Sequence, residues 1–491
     1  VTEIETPVLI VGGSLVGMST ALLLGYHGVG SIVVEHHRGT AIHPRAAQIT
    51  QRTMEIFRSA GIERLVREKS GEQFVQDGAV MAVETLAGKE IAYYISNLNE
   101  GVRDVSPCER VFISQSLLEP LLKARAEELG ADLRFATDLL SFEQQADGVT
   151  AEVRHRDTGE VSRIRAGYMI AADGAHSRVR DQLGIRMHGH GSFSNSITIY
   201  FRADVGPLLR GRNLSVIYVL NPHLRGFFRV EKPFDSGFLA VNAIGDPANP
   251  VTDVSAGLTD ERSMEMIRAA LGVDDIPITI QDVMHWKATA ETAGRFQSGR
   301  IFLAGDAAHV MPPNGGFGGN TGVQDAHNLA WKLAWVLRGD GGAELLTTYE
   351  EERLPVGALT VEQAYSRYVT RTAPYLGTEG MQPVVNDLNV ELGYCYDPLG
   401  PLHQNPRESK ARAGTRAPHV WMEDGRSTLD LFCPRFVLMA GSGWREPAPE
   451  GADTYVIEDP RLAAAYGITP AGAVLVRPDG FVAWREAGGP V

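Results

Sequence analysis

Cysteine is scarce in this chain: Cys108, Cys395 and Cys433 are the only three in 491 residues. They stand far apart and form no Cys-x-x-Cys pair, which excludes a dithiol redox motif and a zinc knuckle. An odd number of thiols in a long chain fits a reducing compartment, not a disulfide framework. Long apolar runs are also missing. Pro7–Val11, the longest near the N-terminus, stops at glycine, so no bilayer-spanning helix is expected. The opening residues Val1-Thr2-Glu3-Ile4-Glu5 are acidic where a signal peptide is basic, so a cytoplasmic protein is expected. Positive charge is in deficit. A net charge of -14 repels nucleic acid and anionic membranes, and neither is expected as a partner. His36, His37, His188 and His190 have no ligand cluster around them, so no metal site is expected.

What remains is a globular composition, 44% hydrophobic and 22% charged, in a chain long enough for two or three domains. Pro7–Val11 reads as a buried strand. Gly12-Gly13-Ser14-Leu15-Val16-Gly17 follows, then a helix from about Met18 to Tyr26 and a strand from Ser31 to Glu35. This is a βαβ unit with G-x-S-x-x-G in place of the dinucleotide fingerprint G-x-G-x-x-G. Gly12 permits the tight turn and Gly17 lets the helix pack on the strand. The helix start offers free N–H groups and a positive dipole end to a pyrophosphate. Glu35 can accept hydrogen bonds from a ribose hydroxyl, with His36 beside it.

Two later segments carry a similar signal. Met169–Ala172 is a strand running into Asp173-Gly174. Arg300–Ala304 is another, running into Gly305-Asp306. After it, Pro312-Pro313-Asn314-Gly315-Gly316-Phe317-Gly318-Gly319-Asn320 precedes a helix expected to open near Val323. So many glycines before a helix mean that backbone must approach something closely.

Together these motifs resemble the set of the group A FAD-dependent aromatic hydroxylases, with the chlorophenol 6-monooxygenase and aromatic polyketide hydroxylase branch nearest. Pro44-Arg45-Ala46 with Arg52-Thr53-Met54-Glu55, and Gln115 near a helix start, match that family as well. The resemblance implies that Gly12, Ser14, Leu15, Val16, Gly17, Glu35 and His36 hold the ADP part of FAD. Arg45, Gln115, Asp173 and Gly174 would lie on FAD or on the nicotinamide cofactor. Gly305 and Asp306 would hold the ribityl chain, with Pro313, Gly316, Gly318, Gly319 and Asn320 at the flavin ring.

The implied fold is α/β: a Rossmann-like FAD-binding domain, an inserted antiparallel-sheet substrate domain and a C-terminal thioredoxin-like domain. The first is expected over 1–75, 103–185 and 285–400, and the second over 76–102 and 186–284. The third, over 416–491, has no redox cysteines. Alternating stretches such as Ser196–Arg202 and Phe227–Val230 support the sheet. Helices are expected at Thr347–Arg353 and Ala358–Thr370, and a linker over 377–415. Met54, Ile56 and Phe57 read as helix core. Val474–Trp484 reads as a hairpin with a Pro-Asp-Gly turn.

The implied reaction is hydroxylation of a phenolic ring by O₂ through a flavin hydroperoxide. FAD would be reduced by NADPH or NADH bound transiently, because no second nucleotide-binding βαβ is present. Tyr218, Arg371 and Pro312 are the candidates for touching the ring, with His285 and Trp286 further possibilities for the pocket. A small aromatic substrate and O₂ are the expected partners, and a homodimer is compatible with the family. The competing readings are a flavin oxidase, a dehydrogenase, a Baeyer–Villiger-type monooxygenase and a flavin-binding protein without turnover.

Overall fold

The computed structural model describes residues 2–42, 48–432 and 434–489. Strand β1 (Thr2–Val11) runs into the Gly12 turn, and helix α1 (Leu15–Tyr26) leads back to β2 (Ser31–Val34). Helix α2 (Gln51–Ser59) buries Met54, Ile56 and Phe57. Strands β3 (Ala79–Val83) and β4 (Glu90–Ile95) leave this first body for another sheet. Helix α3 (Gln115–Glu128), β5 (Ala131–Arg134) and β6 (Val161–Ala171) return to it. The chain then builds β7 (Met187–Arg202), β8 (Leu214–Leu220), β9 (Leu224–Glu231), β10 (Ser236–Ile244), α4 (Asp260–Leu271) and β11 (Thr279–Ala293). Strand β12 (Ile301–Leu303), α5 (Gly318–Arg338) and α6 (Thr347–Arg371) go back to the first body. Helix α7 (Asp387–Glu391) leads to a last unit of β13 (Val437–Gly441), β14 (Asp453–Ile457), α8 (Pro460–Tyr466), β15 (Ala473–Val476) and β16 (Val482–Glu486).

The first sheet carries the parallel order β12-β6-β1-β2-β5. Val8, Leu9 and Ile10 of β1 are fully buried, as a parallel strand covered on both faces requires. The second sheet runs β11-β7-β10-β9-β8-β3-β4, antiparallel except where β8 meets β3. Its two faces differ because side chains alternate along a strand. Ile197, Ile199, Phe201, Ile217, Phe228 and Leu239 bury one face together with Ile267 and Leu271 of α4. The other face presents Tyr218, Phe227, Arg229 and Phe238 toward the first body, whose Phe74 and Phe112 pack with Tyr218.

The last unit, ordered β14-β13-β15-β16, docks through its Arg477–Gly480 turn. Asp479 is 2% exposed, accepts from the Trp331 indole at 3.1 Å and pairs with Arg477. The Asp479 carbonyl accepts from Arg52 at 2.7 Å. Glu55, also buried, bridges Arg52 at 3.0 Å and Arg416 at 2.5 Å.

Four local expectations change. Helix α1 begins at Leu15, not Met18, and α5 begins at Gly318, not near Val323. In both cases glycines sit inside the helix because another backbone or side chain fills the space of their missing Cβ. Thr347–Arg371 is one helix with Pro355 inside it, because burial of Val356, Val361, Ala364 and Tyr368 outweighs one lost hydrogen bond. The stretch 377–415 is not a plain linker, because its 390–395 segment is packed: Val390, Leu392 and Tyr394 are buried, and Glu391 pairs with Arg110 at 2.6 Å.

Candidate active site

Three glycine turns meet at one junction. Gly12, at φ +101°, has no room for a side chain, because a Cβ there would lie 2.2 Å from the Ala172 carbonyl oxygen. A Cβ on Gly17 would lie 1.8 Å from the Gly12 oxygen. Gly305, at φ +60°, and Gly322 both close on Val16, and Gly319 closes on Leu15, with Cβ contacts of 2.8, 2.4 and 2.7 Å. The starts of α1 and α5 therefore lie side by side. Neither is capped by the side chain of its N-cap residue, and neither has an acid in its first turn. Ser14, the N-cap of α1, instead donates to Glu119 at 2.6 Å. Two positive helix ends left open beside each other favour a polyanion such as a diphosphate.

Acceptors surround this junction. Glu35, 8% exposed, accepts from Gly13 N at 2.6 Å and His37 N at 2.7 Å, and a carboxylate keeps capacity for further donors. His36 is exposed and tied to Asp138 at 2.6 Å, so Glu35 and not His36 is held to the glycine turn. Gln115 donates to Ser14 and to Glu119, each at 2.6 Å, and Glu119 also accepts from Ala41 N. At the end of β6, Asp173 Oδ1 is buried with no donor among the described residues. Burial pushes that carboxyl above its ordinary range. Gly174 follows at φ +82°. Arg180 donates to the Ala175 carbonyl at 3.0 Å and the Ala307 carbonyl at 3.3 Å, tying the Asp173 and Gly305 turns together. Asp306 is exposed beside them. Glycine backbone, two open helix ends, an orphan carboxylate oxygen and a ribose-type acid fit a dinucleotide cofactor.

Asn320 contributes to the turn through its side chain. Its side chain is spent inside the protein, donating to Gln48 O at 2.9 Å and Gly316 O at 2.7 Å and accepting from Thr50 N at 2.9 Å. It shapes the turn and leaves only backbone for a ligand. Gly316, at φ +67°, lies in the turn that leads into Gly318, the first residue of α5, with Pro312 buried and Pro313 exposed. Arg45, with Pro44 and Ala46, lies outside the described residues.

On the inner face of the second sheet, Tyr218 is 4% exposed and its hydroxyl accepts from Asn314 Nδ2 at 3.3 Å. Asn314 also donates to Thr372 at 3.1 Å. Tyr94 packs edge-on to Tyr218 at 5.6 Å, and the Arg371 guanidinium lies 5.2 Å from the Tyr94 ring centroid. Tyr218 and Arg371 therefore meet through Tyr94 and Asn314, next to the turn that opens α5. His285 is exposed, because alternation puts it on the other face, and the Trp286 indole is spent on Thr198 at 3.0 Å. A cleft of about 450 Å³ lies between the bodies, lined by Ile42, Gln73, Ser116, Tyr200, Glu231 and Asp282 among others. Another of about 510 Å³, at Glu5–Pro7 and Arg165–Gly167, lies back along β1, away from the glycine junction.

Sequence reasoning missed three groups. Asp325, fully buried, accepts from His309 at 2.7 Å, Arg353 at 2.8 Å and Gly305 N at 3.1 Å, and so holds the Gly305 turn to α5. An acid one position before Ala326, on a helix whose Val323, Ala326, Leu329 and Ala330 are apolar, was the available signal. Asn314 was hidden in a stretch readable only as a turn. Arg229, 6% exposed, lies on β9 with its guanidinium 3.9 Å from the Phe112 ring centroid and 5.3 Å from that of Phe74. Its Nε and Nη1 meet no acceptor among the described residues. A desolvated cation–π contact contributes about 2 kcal/mol, whereas burying an unpaired ion costs several, so the rings offset only part of the penalty. Burial lowers Arg229 to about 9, against the pull of Tyr218 and Glu231, which leaves it a cation at neutral pH.

Fold and site together define a flavin-type oxidoreductase, and comparison with known proteins agrees. A family described as FAD binding domain matches residues 5–364, and one described as aromatic-ring hydroxylase, C-terminal, matches 410–490. The chain is 52% identical to a 4-methyl-5-nitrocatechol 5-monooxygenase of Burkholderia sp, over 99% of this chain and 94% of that one. It is 38% identical to a tetracenomycin A2 monooxygenase-dioxygenase of Streptomyces glaucescens, over 98% and 93%. The crystal structure of aklavinone-11 hydroxylase with FAD and aklavinone superposes with a TM-score of 0.90 at 33% identity, covering 100% of this chain and 97% of that one.

The chain belongs to the group A FAD-dependent aromatic hydroxylases. Within them it stands with the aklavinone and polyketide hydroxylase branch and not, as half of the sequence expectation had it, with chlorophenol 6-monooxygenase. It is an FAD-dependent monooxygenase acting on aromatic substrates.

Proposed function

We propose that this monooxygenase takes NADH or NADPH and O₂ and hydroxylates a phenolic ring held between the inner face of the second sheet and the Pro312–Gly316 turn. The observation that carries this reading is the meeting of Tyr218, Asn314, Thr372 and Arg371 beside the open start of α5. FAD, when bound, supplies two-electron transfer from the nicotinamide and activation of O₂. Glu35, the α1 start, Asp173 and the Gly305-Asp306 turn are the groups that would hold it.

The remaining chemistry falls to side chains. Asn314 donates to the Tyr218 oxygen, which leaves the Tyr218 proton free for a substrate oxygen. Arg371 favours the ionised form of a nearby phenol, and ionisation makes the ring a better target for an electrophilic oxygen. Phe74, Phe112, Leu98 and Val80 around Tyr218 keep water away. Among the described residues there is no second nucleotide-binding βαβ, which supports transient docking of the nicotinamide cofactor.

The C-terminal unit is proposed to be a thioredoxin-like module that serves packing. Support comes from β13 running parallel to β14 and antiparallel to β15 in a four-stranded sheet, and from a sequence without a Cys-x-x-Cys pair. A cytoplasmic location is likewise proposed, from the acidic charge and few cysteines. No helix among the described residues is long and apolar enough to cross a membrane.

The test is nicotinamide oxidation by FAD-loaded protein with a panel of phenols and aromatic polyketides under labelled O₂. Substrate-stimulated oxidation with one labelled oxygen in the product is expected. Release of peroxide alone, with no labelled product from any compound, would overturn the reading.

A further inference from the structure

Arg229 touches neither the glycine junction nor the group of Tyr218, Asn314 and Thr372 through a hydrogen bond. Its strand places it on the same face as Phe227, which packs 6.0 Å from Tyr218. The ring it stacks on, Phe112, is paired in register with Gln48, and Gln48 lies against Gly316 of the α5 turn. Arg229 thus stands where the substrate sheet, the first body and the flavin-side turn converge.

Two more arginines share that face. Arg225 is four residues back on β9, and its Nε is also buried without an acceptor. Arg371 lies over Tyr94. None of the three forms an ion pair with a carboxylate among the described residues. Elsewhere the chain pairs its buried arginines closely: Arg353 with Asp325 at 2.8 Å, Arg110 with Glu391 at 2.6 Å and Arg416 with Glu55 at 2.5 Å. Of the buried arginines described, Arg229 alone has no carboxylate partner within ion-pair distance.

We propose that the substrate is an aromatic anion, a phenol acidic enough to be ionised before it binds or a ring bearing a carboxylate, and that Arg229 selects it by pairing with that charge. This rests on the reading of the junction as a phenol hydroxylase site, and it narrows the substrate class. A planar guanidinium whose Nε and Nη1 donors meet no acceptor suits the oxygens of a phenolate, nitro or carboxylate group. The stacked rings of Phe112 and Phe74 fix its plane, so little order remains to be imposed when the anion arrives.

Equilibrium binding to the FAD-loaded enzyme at pH 8 tests the proposal without turnover, so a failure of hydroxylation would not be mistaken for a failure here. The probes are 4-nitrocatechol, ionised at that pH, and 4-methylcatechol, which is neutral and of similar size. The wild type is expected to prefer the anion by about tenfold, the size of one charge-assisted hydrogen bond. In Arg229→Met the preference should collapse while FAD stays bound, and Arg229→Lys should restore part of it. Equal affinity of the wild type for both probes, including no measurable affinity for either, overturns the proposal even if Arg229→Met does not fold. So does an unchanged preference in Arg229→Met, whether or not that variant loses FAD; if FAD is lost, the charge faces the flavin instead.

Discussion

Replacing Asp325 with asparagine should loosen FAD without removing any residue that faces it. Asp325 is fully buried, with Oδ1 accepting from Arg353 at 2.8 Å and Oδ2 from His309 at 2.7 Å and Gly305 N at 3.1 Å. Burial would raise its carboxyl, but His309 and Arg353 outweigh burial and hold it below the ordinary range. An asparagine has one acceptor oxygen, so its NH₂ must confront either the Arg353 side or the His309 and Gly305 side. Breaking a buried ion pair costs about 3–5 kcal/mol of stability, so the unfolding midpoint should fall. The share felt at Gly305 is one hydrogen bond to a charged acceptor, about 1.5–3 kcal/mol, or a roughly 10- to 150-fold weaker FAD complex. Titration of apoenzyme with FAD, followed by quenching of flavin fluorescence, measures it. A dissociation constant within about twofold of wild type, with an unchanged midpoint, would refute the idea that Asp325 sets the Gly305 turn.

Asp306→Ala removes the exposed acid of that turn directly and should strip FAD during purification; full retention of flavin would sink its assignment to the ribityl chain. At the C-terminal interface, burial raises Asp479, yet Arg477 and its other neighbours bring it down to about 2. A folded value below the unfolded one means that the unfolded chain binds more protons, so stability rises with pH in that window. About 2 kcal/mol is therefore present above pH 4 and lost as pH falls toward 2. Urea unfolding at pH 5, 4 and 3 should show this slope, and Asp479→Asn should be less stable at pH 7 with a shallower slope; parallel slopes would refute the assignment.

Much of the cofactor site was legible in the chain because it is made of backbone. Glycine at 12, 17, 305 and 316 records where φ is positive or no Cβ fits, and those constraints act locally. Glu35 at the end of β2 follows from the same βαβ geometry. The start of α5 was misplaced because glycine looks like a helix breaker until Leu15 and Val16 are seen filling the space beside it. Likewise Pro355 and the 377–415 stretch resemble breaks until their buried neighbours are known.

The substrate side was decided by tertiary structure. Tyr218, Asn314 and Arg371 lie on a strand, a turn and a helix end far apart in the chain, and no spacing rule joins them. The roles of Asn320 and His36 depended on where their hydrogen bonds end. Alternation along β9 put Arg229 on a known strand but could not say whether an acid faced it. Local sequence determines backbone conformation, because sterics and dipoles act over a few residues. Whether a buried charge is paired depends on what the fold brings against it, and only the assembled sheet and turns could show that Arg229 has rings against it and no acceptor for its Nε and Nη1 among the described residues.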